Sequence, residues 1–447
     1  MNTPIIDFVN EYVHSGKMRL HMPGHKGVSL LGYENYDITE IDGADVLYDA
    51  KGIIRESMEN ASMLFGTEKT LYSTEGSSLS IRAMLYLAVL YAEKIGRKPV
   101  IFAGRNAHKV FVTSSALLDF DIKWIYGEKS WGITECIISP ECVDSYLSKA
   151  EEKPVAVYLT SPDYLGNIAD VKGISKICRK HGVLLLVDNA HGAYLNFLPK
   201  NTHPIHMGAD ICCDSAHKTL PALTGAGYLH ISKNAPELIL QNAEKAMTLF
   251  ASTSPSYLIM QSLDAVNKYL SDGYRQRLSD FCNKVFELKK RLSSCGIANR
   301  DLEDLKITLT PKKFGYTGIE LYKYLSDNSI VCEFYDPDCV VMMLSPENSD
   351  QCLEKIYDVL TALEIREEIY ELPPEIPVCD SAMSVREACF SESEILPVEK
   401  CISRVFAGIN FACPPAIPLV VCGEIITEKT AELMKYYGVS VCEVVKQ

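Results

Sequence analysis

Ser215-Ala216-His217-Lys218-Thr219-Leu220-Pro221-Ala222-Leu223-Thr224 is the stretch whose reading decides the fold. A lysine lies beside a histidine and between hydroxyls, directly after the apolar run Ala209-Asp210-Ile211-Cys212-Cys213. Further upstream the strand-like run Val183-Leu184-Leu185-Leu186-Val187 ends in Asp188, followed by Asn189-Ala190-His191-Gly192. In open α/β sheets ligands bind at the carboxyl ends of strands, where Asp188 falls.

Outward from these two turns, helical patterns alternate with short apolar runs between about 55 and 235. Helices are expected at 77–94 and 170–181, strands at 99–103, 122–126, 155–160, 183–188 and 225–231. Buried strands alternating with helices imply a mostly parallel sheet covered on both faces. Residues 1–30 read as an arm, with a helix over 5–15 broken by Pro23-Gly24. Residues 31–265 form the expected large domain, and 266–447 the linker helices and a smaller α+β domain. In the latter, strands are expected at 306–310, 330–334 and 339–344, with a proline-rich connection over 372–377.

The chemistry follows from the lysine. A lone lysine is ordinarily a solvated surface charge; here Ser215, His217, Thr219 and Thr224 surround it with phosphate donors and a second cation. Burial and a nearby cation depress a lysine pKa, as Schiff-base chemistry requires. Asp188 reads either as a capping acid or as the partner of a pyridinium nitrogen. Ala190 would let a flat ring lie close, and His191 could reach a ring oxygen or a substrate carboxylate. Thr74-Glu75-Gly76-Ser77-Ser78 opens a helix, and free N–H groups at a helix start suit a phosphate. His108, in Asn106-Ala107-His108-Lys109 after a strand, reads equally as a ring-stacking residue or a loop histidine. Together these point to pyridoxal 5′-phosphate (PLP). No metal is expected: Pro23-Gly24 splits His21 from His25, no C-x-x-C occurs, and Asp42, Asp45 and Asp49 do not match a calcium loop.

Bulk composition narrows the class. The chain has 447 residues, 44 basic and 58 acidic, for a net charge of −14. That balance argues against nonspecific binding of nucleic acid or anionic membrane. Sixteen scattered cysteines, the absence of a basic-then-apolar leader and apolar runs too short to span a bilayer favour reduced thiols in a cytoplasmic protein.

Over nearly its whole length the chain resembles the bacterial, fold-type I, PLP-dependent ornithine/lysine/arginine decarboxylases, in the short form without a wing domain. The resemblance rests on His21-Met22-Pro23-Gly24-His25-Lys26-Gly27, Thr39-Glu40-Ile41-Asp42-Gly43-Ala44-Asp45, Gly76-Ser77-Ser78 and Asn106-Ala107-His108-Lys109. Val187-Asp188-Asn189-Ala190-His191-Gly192, the lysine motif, Ser252-Thr253-Ser254-Pro255-Ser256-Tyr257 and Pro414-Pro415-Ala416-Ile417-Pro418 complete it. It implies an aspartate aminotransferase-like large domain with a mostly parallel seven-stranded sheet, plus a smaller α+β C-terminal domain. Lys218 would carry the cofactor, Asp188 would bind the pyridine nitrogen and His108 would stack on the ring. Gly76, Ser77, Ser78, Ser215 and His217 would serve the phosphate, with His191 beside the cofactor and His217 or Lys218 as proton donor to Cα. Glu424 would face the distal cation of an amino-acid substrate. Ser252, Thr253 and Ser254 would complete the partner's site in a homodimer with shared active sites.

The resemblance implies decarboxylation of a basic amino acid, arginine ahead of lysine and ornithine, in polyamine synthesis. Cys413, Ala416 and Cys422 replace the family's Tyr, Gly and Pro, Asn189 stands where the family often has Glu, and an acid is missing near Ala407-Gly408. These departures keep two rivals open: another fold-type I activity, an aminotransferase or lyase, and a non-catalytic PLP-binding paralogue. An aminotransferase needs an arginine for the α-carboxylate, for which Arg386 and Arg404 are the nearby candidates.

Overall fold

The computed structural model describes residues 1–127, 132, 134–409 and 417–447. Seven strands, β1 (Lys69–Ser73), β2 (Val100–Gly104), β3 (Asp121–Ile125), β4 (Ala156–Thr160), β5 (Leu184–Asp188), β6 (Ile211–Asp214) and β7 (Gly227–Ile231), form one sheet ordered β1-β7-β6-β5-β4-β2-β3. β7 runs antiparallel to its neighbours β1 and β6, whereas β5–β6 and β2–β3 pair in parallel. Every residue of β2, β5, β6 and β7 is buried, the pattern of a sheet covered on both faces. Expected strands and helices in this region are found within two residues of their predicted ends.

Two compact units divide the chain. The first comprises Met1–Pro99, Pro154–Leu159 and Val171–Arg277; the second comprises Val100–Lys153, Thr160–Asp170 and Leu278–Gln447. In the first, the helix Gly76–Lys94 buries Leu79, Ile81, Met84, Leu85, Ala88 and Ala92. The opening helix Pro4–His14 has proline at its start, and the Asp264 carboxylate accepts the Ile5 and Ile6 N–H groups at 3.0 and 3.1 Å. That remote cap satisfies donors a helix start otherwise leaves orphaned.

The second unit contains a four-stranded antiparallel sheet, ordered β10-β11-β9-β8, from β8 (Asn299–Arg300), β9 (Lys306–Leu309), β10 (Phe334–Tyr335) and β11 (Val340–Met343). A ribbon of β12 (Ser393–Pro397) and β13 (Val441–Val445) packs Cys442 and Val444 with Phe406, Val420, Ile426 and Met434. The strand expected at 330–334 is a correction. Ser329 is left-handed (φ 58°), the Ile330 N–H returns to the carbonyl of Leu325, and Val331 is exposed. This run winds off a helix end, and the ladder with β11 is formed by Phe334 and Tyr335, with the Glu333 N–H donating to the Val341 carbonyl at 3.0 Å. A short apolar run has no periodicity to separate the two readings. β1 is not among the expected strands because its polar residues are buried in mutual hydrogen bonds: Thr70 Oγ1 lies 2.8 Å from Thr67 Oγ1 and 2.9 Å from His230 Nδ1.

Among the described residues every cysteine is a free thiol, and no helix is long and apolar enough to cross a membrane.

One backbone crossing fixes the start of the helix Gly76–Lys94. The N–H of Gly76 (φ 68°) donates to the Gly225 carbonyl at 2.7 Å, and a Cβ on Gly227 would meet the Gly76 carbonyl carbon at 3.0 Å and the Asp214 oxygen at 3.1 Å. Because both obstacles are backbone, Gly227→Ala is expected to destabilise the protein by about 1–3 kcal/mol, read as a lowered melting temperature of the cofactor-free protein.

Candidate active site

Parallel pairing sets Asp188 opposite Cys213, with Val187 opposite Cys212. The Asp188 carboxylate is almost fully buried, and three neighbours donate to it. Tyr158 Oη on β4 reaches Oδ2 at 3.1 Å; the Ala190 N–H reaches Oδ1 at 3.1 Å; Cys213 Sγ reaches Oδ1 at 3.5 Å. Burial, with the Asp188 charge beside them, pushes the Tyr158 hydroxyl and the Cys213 thiol well above their ordinary ranges, so both remain donors. The acid is held in one orientation from three sides.

The lysine motif forms a single helical turn, Ala216–Thr219, after β6. It brings Lys218 Nζ to 3.0 Å from His191 Nε2, so the two sequence signatures meet. Ser215 Oγ donates to Ser77 Oγ at 2.8 Å, joining this turn to the first turn of the helix Gly76–Lys94, where Ser78 also lies. His217 Nδ1 is 2.9 Å from the Ala226 carbonyl, which fixes that nitrogen as the donor. Its Cε1 stands 3.9 Å from where a Gly76 Cβ would be. Gly76, Ser77, Ser78, Ser215 and His217 therefore surround one helix N-terminus. Ser252, Thr253 and Ser254 are exposed, and the Ser252 N–H donates to the Glu75 carboxylate of the same turn at 2.7 Å.

His108 and Glu424 belong to the second unit. His108 caps the helix Lys109–Leu118, its Nδ1 accepting the Val110 N–H at 3.2 Å. Glu424 is 1% exposed and has a partner the sequence did not suggest. Arg105 Nη2 lies 3.3 Å from Glu424 Oε2, which also accepts the Val421 N–H at 2.7 Å. Arg105 further donates to the carbonyls of Pro418 at 2.9 Å and Leu419 at 3.3 Å, and lies 5.1 Å from the Trp124 ring centroid. Burial raises the Glu424 carboxyl, with Arg105 and the Val421 N–H opposing. Arg386 donates to the Ala116 carbonyl at 2.7 Å, and Arg404 pairs with Glu394 at 2.7 Å and with the Val445 carbonyl at 2.8 Å. Cys422 is buried near the carbonyls of Ala407 and Val385, at 3.4 and 3.7 Å, and burial pushes its thiol up to about 12. Cys413 and Ala416 lie outside the described residues.

The family model for the major domain of Orn/Lys/Arg decarboxylases matches residues 3–311. An arginine decarboxylase of Halalkalibacterium halodurans is 28% identical over 95% of this chain and 91% of its own length. Among solved structures, the constitutive lysine decarboxylase of E. coli superposes with a TM-score of 0.79 at 18% identity, covering 100% of this chain and 82% of that one. A structure of SPT with its PLP internal aldimine superposes at 0.56 and 12% identity, covering 81% of this chain and 83% of that one. The chain belongs to the Orn/Lys/Arg decarboxylase family. It is an amino-acid decarboxylase of fold type I, and its cofactor is pyridoxal 5′-phosphate.

The residues present fit that cofactor. An amine, a buried carboxylate on the neighbouring strand and a hydroxyl-lined helix start match in kind an aldehyde, a pyridine nitrogen and a phosphate. Thr219 Oγ1, next to Lys218, is buried with no hydrogen-bond partner among the described residues.

Removing one partner of a buried ion pair costs about 3–5 kcal/mol. Arg105→Met is expected to destabilise the protein on that scale, and Arg105→Met with Glu424→Leu to recover most of the loss. The folded chain holds the Glu424 proton more tightly than the unfolded chain. The Arg105→Met penalty is therefore small at acidic pH and grows as pH rises through the folded-state value, as denaturant unfolding at pH 5 and pH 8 will register.

Proposed function

We propose that this enzyme converts arginine to its decarboxylated amine and CO2, as a cytoplasmic homodimer supplying polyamine synthesis, with lysine and ornithine as the next candidates. The observation that carries the reading is the approach of Lys218 Nζ to His191 Nε2 beside the three-donor carboxylate of Asp188, inside a family match spanning residues 3–311. The arginine preference rests on the relative named arginine decarboxylase. Residues 31–265 are read as the PLP-binding large domain and 266–447 as the linker helices and smaller α+β domain.

When bound, PLP supplies an electron sink for the pair released as the Cα–carboxylate bond breaks. The protein does the rest. Lys218 would hold the cofactor through its amine, with His191 Nε2 lying 3.0 Å from Nζ to orient it. Asp188 would face the pyridine nitrogen, its orientation set by Tyr158, Ala190 and Cys213. Ser77, Ser78, Ser215 and His217 bind the phosphate through hydroxyls, an imidazole and the helix start. By the family resemblance, His108 would stack on the ring, and His217 or Lys218 would return a proton to Cα. Glu424 takes the cationic end of the substrate through its Oε1, which has no hydrogen-bond partner among the described residues.

The dimer reading draws support from the N-terminal segment, which leaves Met18, Leu20, Leu30 and Leu31 82–84% exposed. Apolar exposure on this scale suits an association surface. Ser252, Thr253 and Ser254, exposed beside Glu75, are then free to reach a second copy's site. The aminotransferase alternative loses its carboxylate clamp, since Arg386 and Arg404 are spent on carbonyls and Glu394.

Lys218→Ala is expected to abolish both the visible absorbance of bound PLP and turnover. CO2 release from PLP-loaded enzyme should be fastest with arginine. Silence with arginine, lysine and ornithine together would overturn the reading. Glu424→Gln should weaken discrimination among these substrates more than it weakens PLP binding; unchanged selectivity would remove Glu424 from that role.

A further inference from the structure

The cofactor reading leaves one buried charge unused. Asp214 ends β6, immediately before Ser215, and is 0% exposed. Its Oδ2 accepts from His203 Nε2 at 3.0 Å and His230 Nε2 at 3.2 Å, and its Oδ1 from Asn189 Nδ2 at 2.6 Å. The tautomer of His230 follows from its partners. The Asp214 carboxylate can only accept, so Nε2 carries the proton, and Nδ1 of the neutral ring then accepts from Thr70 Oγ1, 2.9 Å away. Burial lowers the His230 imidazole, so it acts as a neutral N–H donor. Burial by itself would raise the Asp214 carboxyl; the two imidazoles outweigh it and hold the group well below the ordinary carboxylate range. The cluster thus keeps one permanent anion in the sheet interior, walled by Phe65, which lies 4.5 Å centroid to centroid from His230.

A buried carboxylate is costly unless fully paired, and this one is paired to both sides of the cofactor cleft. Through Asn189 it holds the Asp188–His191 turn; through its own backbone it holds the turn that carries Ser215 and Lys218. A second tie runs parallel, the Asn189 N–H donating to the Cys213 carbonyl at 3.0 Å. The same contact explains the family departure at position 189. A Glu or Asp there would set a second carboxylate against one that lies 2.6 Å from the Asn189 amide, so Asp214 requires an uncharged donor.

We propose that Asp214 is a positioning residue of the cofactor site: clamped by His203, His230 and Asn189, it fixes Lys218 against His191 and the Asp188 turn against β6. The proposal rests on the assignment of Lys218 and Asp188 to PLP.

Sign-dependent coupling tests it. In otherwise wild-type protein, Asp214→Asn should weaken PLP binding at least tenfold by equilibrium dialysis. With PLP saturating, it should also shift the pH at which the Lys218-dependent visible band titrates. In the Asn189→Asp background the same change should improve PLP binding, because it removes one of two facing carboxylates. If Asp214→Asn does not fold, His230→Gln, which keeps a donor, should retain PLP within a few-fold while His230→Leu does not. Unchanged PLP binding and titration in a folded Asp214→Asn protein would overturn the proposal, as would equal harm in both backgrounds. One zinc ion per chain in the purified protein would also overturn it, because Nε2 lone pairs would then face a metal. Absence of any Lys218-dependent band in wild-type protein would instead defeat the underlying cofactor assignment.

Discussion

Parallel pairing of β5 with β6 is the constraint on which the active site depends. Their register sets Asp188 opposite Cys213, so both strands end at the same level and release their chains into adjacent turns. One turn carries Asp188 and His191, the other Ser215, His217 and Lys218. No loop has to reach across the sheet, and the Lys218–His191 contact of 3.0 Å follows from strand register and turn length. A one-residue slip would turn each side chain to the opposite face.

Three acids of the chain show how surroundings assign work. Asp188 is held in one orientation by three donors. Asp214, one strand over, is held by two imidazoles and an amide. Glu424 shares its burial with Arg105, which also binds two carbonyls of the 418–419 segment. All three are buried carboxylates, yet the first is held by a hydroxyl, a backbone N–H and a thiol, the second by two imidazoles and an amide, and the third by a guanidinium and a backbone N–H. Residue type alone does not separate these roles; the donors around each oxygen do.

Backbone proximity matters as much as side-chain chemistry at the start of the helix Gly76–Lys94. Gly225 and Gly227 let β7 pass against Thr74, Gly76 and Asp214 with separations that leave no space for a Cβ. That crossing holds open the N-terminus of the helix Gly76–Lys94, so its first turn and the Ser77–Ser215 pair face one place. That close approach is geometry that glycine permits.

Much was legible in the order of residues. Long apolar runs and helical periodicity predicted the parallel sheet, because burial on both faces leaves a continuous apolar signature. The lysine motif and the acid ending a strand pointed to the cofactor because few chemistries need both. Tertiary structure alone decided the partners of buried polar groups: Tyr158 and Cys213 on Asp188, Arg105 on Glu424, His203 and His230 on Asp214. It also decided that Lys69–Ser73 is a strand and that 330–333 is not. The reason is physical: apolar burial is a sum over local composition that sequence displays, whereas a hydrogen bond between residues 319 positions apart, as in Arg105 and Glu424, exists only after the chain has folded.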